Sequence, residues 1–79
     1  MFIKTHDELI NLDVCQAIQM SRNNHRDFDV YVDFDKGCDR YFLAKHTNED
    51  HAKRIMFDIY DAIKGSKRVF NIDDVPFVD

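Results

Sequence analysis

The chain of 79 residues reads as one small domain spanning 1–79, too short for a second core. Its formal net charge of −4, from 15 acidic against 11 basic side chains, excludes a surface built to grip duplex phosphates and favours a protein partner with a basic surface. Seven Phe and three Tyr exclude low-complexity disorder, and a core this small is marginal alone, so a homo-oligomer is expected.

Met1 to Lys4 reads as a first short strand, His6-Asp7 as a turn, and Glu8 to Leu12 as a second strand with Ile10 and Leu12 inward. Asp13-Val14 is a corner. Cys15 to Arg22 is the third strand, with Gln16, Ile18 and Met20 on one face and Ala17, Gln19 and Ser21 on the other. Over residues 13–22 a helical reading stays open, because Leu12, Cys15, Ile18 and Gln19 also have helical spacing. The strand is favoured because Asn23-Asn24-His25 then makes a hairpin into the next segment. That segment, Asp27 to Asp35, alternates cleanly. Phe28, Val30, Val32 and Phe34 share one face, and Asp27, Asp29, Tyr31, Asp33 and Asp35 share the other.

Lys36-Gly37-Cys38 is the following turn, and Arg40 to His46 the next strand. A two-residue loop sets Asp33 opposite Arg40, Val32 opposite Tyr41 and Val30 opposite Leu43, which pairs charges outside and apolar groups inside. Thr47 reads as a helix N-cap with Asp50 three residues on, and Ala52, Ile55, Met56, Ile59, Ala62 and Ile63 form one apolar helical face. Gly65 closes the helix in the usual post-helix position. Arg68 to Ile72 reads as a last strand. The tail 73–79, with Pro76, lacks central-strand character and is expected to be a flexible end. The elements add up to an α+β fold: an antiparallel sheet of four or five strands with one α-helix in the C-terminal half packed on one face.

This pattern, with Leu9-Ile10-Asn11-Leu12 near the start and the Asp50-to-Gly65 helix followed by Val69-Phe70, resembles small uncharacterised bacterial and phage proteins of β-meander-plus-helix type. The resemblance implies a prokaryotic or phage source and no particular activity.

Four carboxylates on one strand face, spaced about 6.6–6.8 Å apart, form the most informative local feature. As a partner-binding stripe, Asp27, Asp29, Tyr31, Asp33 and Asp35 would dock on a basic protein groove. As a solvated face they would be partly neutralised by Arg22, Arg26, Arg40 and Lys45. Asp33, Asp35, Gly37 and Asp39 alternate near a turn and offer oxygen ligands, but without the spacing or terminal Glu of a calcium loop, so no metal and no cofactor is expected. His6, His25, His46 and His51 are scattered. Cys15 and Cys38 lack zinc-ligand spacing and read as reduced thiols. Phe57 points away from the apolar helix face and Tyr60 sits on its flank, and both are expected at an oligomer interface. No run approaches a membrane span, and Met1 to His6 lacks the apolar stretch of a signal peptide, so a cytoplasmic protein is expected.

The resulting expectation is a non-enzymatic protein-binding module, with an acidic inhibitor on the basic groove of a nucleic-acid-binding protein as its specific form. A structural homo-oligomer without a heterologous partner and a small metal-dependent enzyme are the alternatives.

Overall fold

The computed structural model describes residues 1–34 and 40–77. Within them the chain forms β1 (Phe2–Lys4), β2 (Leu9–Asn11), a 3-10 turn (Leu12–Val14), β3 (Cys15–Arg22), β4 (Phe28–Phe34), β5 (Arg40–Thr47), α1 (Glu49–Lys64), β6 (Val69–Asn71) and a second 3-10 turn (Ile72–Asp74). The fold is α+β, but its strands do not make one sheet. β3-β4-β5 is an antiparallel sheet with the alternating strand at its centre, and β2-β1-β6 is a separate small sheet. In the small sheet β1 runs antiparallel to β2 and parallel to β6.

The expected sheet of four or five strands divides because of local turn chemistry. After β2 the Asn11 side chain accepts the Asp13 N–H at 3.0 Å, which tightens the chain into the 3-10 turn before β3 begins. β2 therefore pairs only with β1. The same turn recurs after β6, where Asn71 accepts the Asp73 N–H at 3.0 Å. Leu9-Ile10-Asn11-Leu12-Asp13 and Val69-Phe70-Asn71-Ile72-Asp73 thus flank β1 with one shared device. Cys15–Arg22 is strand throughout, so the helical alternative for this segment does not hold.

Register in the larger sheet matches the expectation at Asp33–Arg40 and Val32–Tyr41, and departs from it at Val30, which faces Ala44 rather than Leu43. β5 carries an extra residue at Leu43 and another at Lys45-His46, where His46 takes a positive φ of 54°. Such bulges re-aim the flanking side chains. The hairpin turn expected at Lys36-Gly37-Cys38 lies outside the described residues.

Helix α1 covers the apolar face of β3-β4-β5 and carries Ala52, Ile55, Ile59 and Ala62 into the core. Val30 meets it from the sheet, fully buried, and Ile3, Ile10 and Phe70 meet it from the small sheet, with Val75 closing the cluster. Phe28 and Phe34 are half-buried at the ends of β4, as an apolar face tapering toward its strand ends requires. Ile63, expected in the apolar helical stripe, is exposed instead.

Gly65 follows the helix directly as its C-cap, as expected, whereas the N-terminal end differs from the sequence expectation by one residue. The N-cap is Asn48, whose Oδ1 accepts the His51 N–H at 2.7 Å. Thr47 is the last residue of β5, buried, and its hydroxyl has no hydrogen-bond partner among the described residues. At the other end Lys67 N donates to Ala62 O and Ser66 N to Ile63 O, the paired bonds of a Schellman closure. The left-handed residue of that closure is Ser66, with φ 58°, while Gly65 sits at φ −82°. In the described part of the tail, Val75 is buried and the Phe77 ring lies 4.7 Å from that of His51.

Candidate functional site

The face of β3-β4-β5 opposite the helix carries the residues expected to form an acidic stripe. It is built by alternation along β4, with Asp29, Tyr31 and Asp33 outward and Val30 and Val32 inward. Its chemistry is set by the neighbours that the register delivers. Gln19 of β3 faces Tyr31, and Arg40 and Phe42 of β5 face Asp33 and Tyr31.

Asp33 is a buried, paired carboxylate, 8% exposed. Arg40 Nε donates to its Oδ1 at 3.2 Å, and Gln19 Nε2 donates to its Oδ2 at 2.8 Å. Tyr31 is only 5% exposed. Its hydroxyl donates to Gln19 Oε1 at 3.2 Å, its ring meets Phe42 edge-on at 5.8 Å, and the Arg40 guanidinium lies 4.0 Å above it. Lys45 Nζ sits 4.3 Å from the Phe42 ring centre. β4 is the central strand, so long side chains on both flanking strands fold over it. Alternation along β4 reveals which residues point outward, but not that the centre of the face is roofed.

The remaining carboxylates gather at the other end. Asp29 Oδ1 accepts the His46 backbone N–H and the Asn23 side-chain amide, each at 3.1 Å. The His46 bond in particular, helped by Asn23 and by the nearby charges of His46 and Lys45, holds the Asp29 carboxyl below its ordinary range against a smaller opposing effect of burial. Asp27 Oδ2 lies 3.9 Å from His46 Nδ1, and the His46 ring meets His25 edge-on at 5.4 Å. Asn23 also closes the β3–β4 hairpin, accepting the His25 N–H at 2.8 Å and the Asp27 N–H at 3.2 Å. This hairpin puts Arg26 at a positive φ of 65°.

The structure thus brings Asp27 and Asp29 together with His46, and sets Tyr31 and Asp33, the next outward positions along β4, in a separate network. Asp35 lies outside the described residues, as do Gly37, Cys38 and Asp39 of the candidate cation cluster. Among the described residues no group of three or more His, Cys, Asp or Glu is arranged to hold a metal ion. Sequence reasoning did not single out Gln19, Asn23 or Phe42. Gln19 and Phe42 were detectable as outward positions opposite Tyr31, but Asn23 gave no signal beyond its turn propensity.

Elsewhere, Thr5, Asp7 and Tyr41 form a small polar cluster that ties the β1–β2 turn to β5, with Tyr41 Oη donating to Asp7 Oδ1 at 3.4 Å. A depression of about 370 Å³ over the same turn is lined by Lys4 to Leu9, and one of about 380 Å³ lies between Met1, Leu12 and Ile63. Burial pushes the Cys15 thiol up, away from the thiolate that nucleophilic chemistry needs. No described helix is long and apolar enough to cross a membrane. Phe57 and Tyr60 are each 62% exposed on α1, on the opposite side of the molecule from this sheet face.

A scan against protein-family models finds no match, and searches of curated proteins and of solved structures find none either.

Proposed function

We propose that this chain is a non-enzymatic protein-binding module that docks the bare face of its β3-β4-β5 sheet onto a protein with a basic surface. The observation that carries this reading is that the face is fixed before any partner arrives. Arg40 and Gln19 clamp Asp33, Gln19 and Arg40 hold Tyr31, and His46 and Asn23 orient Asp29. A preorganised surface adds little ordering cost to association. The acidic character available to a partner sits at the Asp27 and Asp29 end, because Arg40 neutralises Asp33. The basic patch of the partner therefore meets the β3–β4 hairpin end, while the Tyr31–Phe42 end supplies neutral contact.

The test is capture of a partner from the source cell, followed by binding kinetics with the purified pair. Asp27→Asn combined with Asp29→Asn keeps size and hydrogen-bonding capacity but removes two charges. Association should slow and its dependence on salt should flatten, with dissociation little changed. Unchanged kinetics at every ionic strength would remove this face from consideration.

A further inference from the structure

The two edges of the larger sheet differ. β5 is interrupted by its bulges and carries Arg40 and Lys45 exposed toward its ends. Irregularity and charge are the usual devices that keep an edge strand from pairing. β3, the other edge, has neither over most of its length. From Ala17 to Arg22 it pairs with β4 residue for residue, and its one irregularity lies before that run, between Cys15 and Ala17. Val14 to Ser21 is also the longest stretch of the sequence without Asp, Glu, Lys or Arg, eight residues where no other such stretch exceeds four.

The β3–β4 hairpin fixes which backbone groups face the open edge. Asn23 N donates to Asp27 O at 2.8 Å, so Asn23 turns its backbone toward β4. Along an antiparallel ladder that orientation alternates from residue to residue. Ser21, Gln19 and Ala17 therefore bond to β4, at Asp29, Tyr31 and Asp33, while Ile18 and Met20 turn their N–H and C=O groups to the open edge. Among the described residues no turn or loop backbone bonds to them. Their side chains lie on the helix side of the sheet, half-buried against the core.

We infer that two copies of this chain join edge to edge through β3, antiparallel, about a two-fold axis that passes through Gln19 perpendicular to the sheet. Side chains alternate between faces, so such an axis passes through a residue and not between two. Centring it on Gln19 sets Ile18 opposite Met20 of the other copy, each bonding the other's backbone, and Ala17 opposite Ser21. Apolar then meets apolar on the helix side, and small meets small on the outer side. Centring one residue earlier sets Met20 against the irregular position at Gln16, and one residue later sets Ile18 against Arg22. The Gln19 side chain leans over β4 to Asp33 and Tyr31, which leaves the axis uncrowded. A second copy is the occupant because this run matches itself in class at every position, and because it is the neutral edge along which two chains of net charge −4 can meet. A basic partner finds no acid there. Helix α1 lies mainly over β4, one strand in from the edge, so the two helices sit about 14 Å apart on one face, beyond the 8–10 Å of direct helix packing, and do not collide. The product is one six-stranded sheet whose bare faces are continuous, and it is independent of what binds them.

Sedimentation equilibrium and amide hydrogen exchange on the full chain test it together. The shared edge is about 17 Å long, at the low end of specific interfaces, so the dimer should form at about 10–100 µM. The Ala17, Gln19 and Ser21 amides, bonded to β4, should be protected from exchange at about 1 µM and at 1 mM alike. The Ile18 and Met20 amides should gain about five- to tenfold protection only at the higher concentration. Ala17→Lys combined with Ser21→Lys opposes like charges at both symmetric contacts and should weaken dimerisation about tenfold. Ala17→Lys combined with Ser21→Glu opposes unlike charges at the same contacts and should dimerise more tightly than the first variant. Should either variant melt early, the exchange measurement on the unaltered chain decides alone. A protein monomeric at 1 mM overturns the inference. So does a dimer in which Ile18 and Met20 exchange equally fast at both concentrations, since it joins elsewhere. Protection of these amides that arises only when a different protein is added overturns it too, as does equal weakening by the two charge variants.

Discussion

Asp29 connects the bulge of β5 to the β3–β4 hairpin through a single carboxylate oxygen, which takes both the His46 N–H and the Asn23 amide. These bonds favour the ionised form, and the consequence for stability has a definite sign. A carboxyl whose pKa is lower in the folded protein than in the unfolded chain contributes stability above the ordinary range near pH ~4, and that contribution is lost as pH falls through the folded value. Asp29→Asn keeps an acceptor oxygen but has no charge to lose. At pH 7 it should melt below the original protein, and the gap should close as pH is lowered from ~4 towards 2. Melting curves at several pH values check this; a gap that stays constant down to pH 2 would mean that the Asp29 charge contributes nothing to the hairpin. Asp33 shows how much of the site was legible. Its outward direction followed from period-two alternation, and its pairing with Arg40 followed from register. Its burial did not, because burial depends on Gln19 and Arg40 arriving from two different strands to cover the same carboxylate. Those contacts lie far apart along the chain, and alternation within one strand carries no information about them.

At the scale of elements, the sequence reading of the helix holds in its body and at Gly65, its C-cap, and fails at the N-cap. Thr47 has the composition of an N-cap, but β5 extends through it, so the capping role passes to Asn48. Gly65 has the composition of the left-handed closing residue, but the closure is completed one residue later, by Ser66. The strain follows from that shift. A left-handed conformation costs an L-residue about 1–2 kcal/mol, and glycine escapes most of this cost. A Cβ on Gly65 would meet only Asp61 O at 3.4 Å and Ala62 O at 3.8 Å, ordinary contacts. Ser66→Gly should therefore stabilise the protein by up to about 1 kcal/mol, and Gly65→Ala should add about 0.4–1 kcal/mol by restricting the unfolded chain. Denaturant titration of the two variants and their combination measures both. Destabilisation by Ser66→Gly would contradict the closure described here. The division into two sheets was illegible for a related reason: β1, β2 and β6 have three residues each, and the 3-10 turns that detach them are built from Asn11 and Asn71, which also suit an ordinary loop.

Across the whole molecule, a single core joins three layers. Ile59 is at its centre, 2% exposed, in one cluster with Val30 of the larger sheet and with Ile3 and Phe70 of the small one. Both sheets therefore depend on the same face of α1, and neither retains a buried surface without it. A carboxylate placed at Ile59 would lie among Ile and Val side chains with no donor nearby. Burying it uncompensated costs several kcal/mol, and its escape to water requires lifting the helix off both sheets. The whole stability expected of so small a domain is about 5 kcal/mol. Ile59→Asp should therefore unfold the chain at room temperature. Phe57→Glu, two residues earlier on the solvent face, should leave melting within a few degrees of the original, because that side chain is withdrawn from no core. The contrast separates a charge at the core from a charge on the same helix. Circular dichroism melts of the two variants side by side read it directly. A folded Ile59→Asp with cooperative melting near the original temperature would mean that the two sheets hold together without the helix, and the shared core would no longer account for the stability of the molecule.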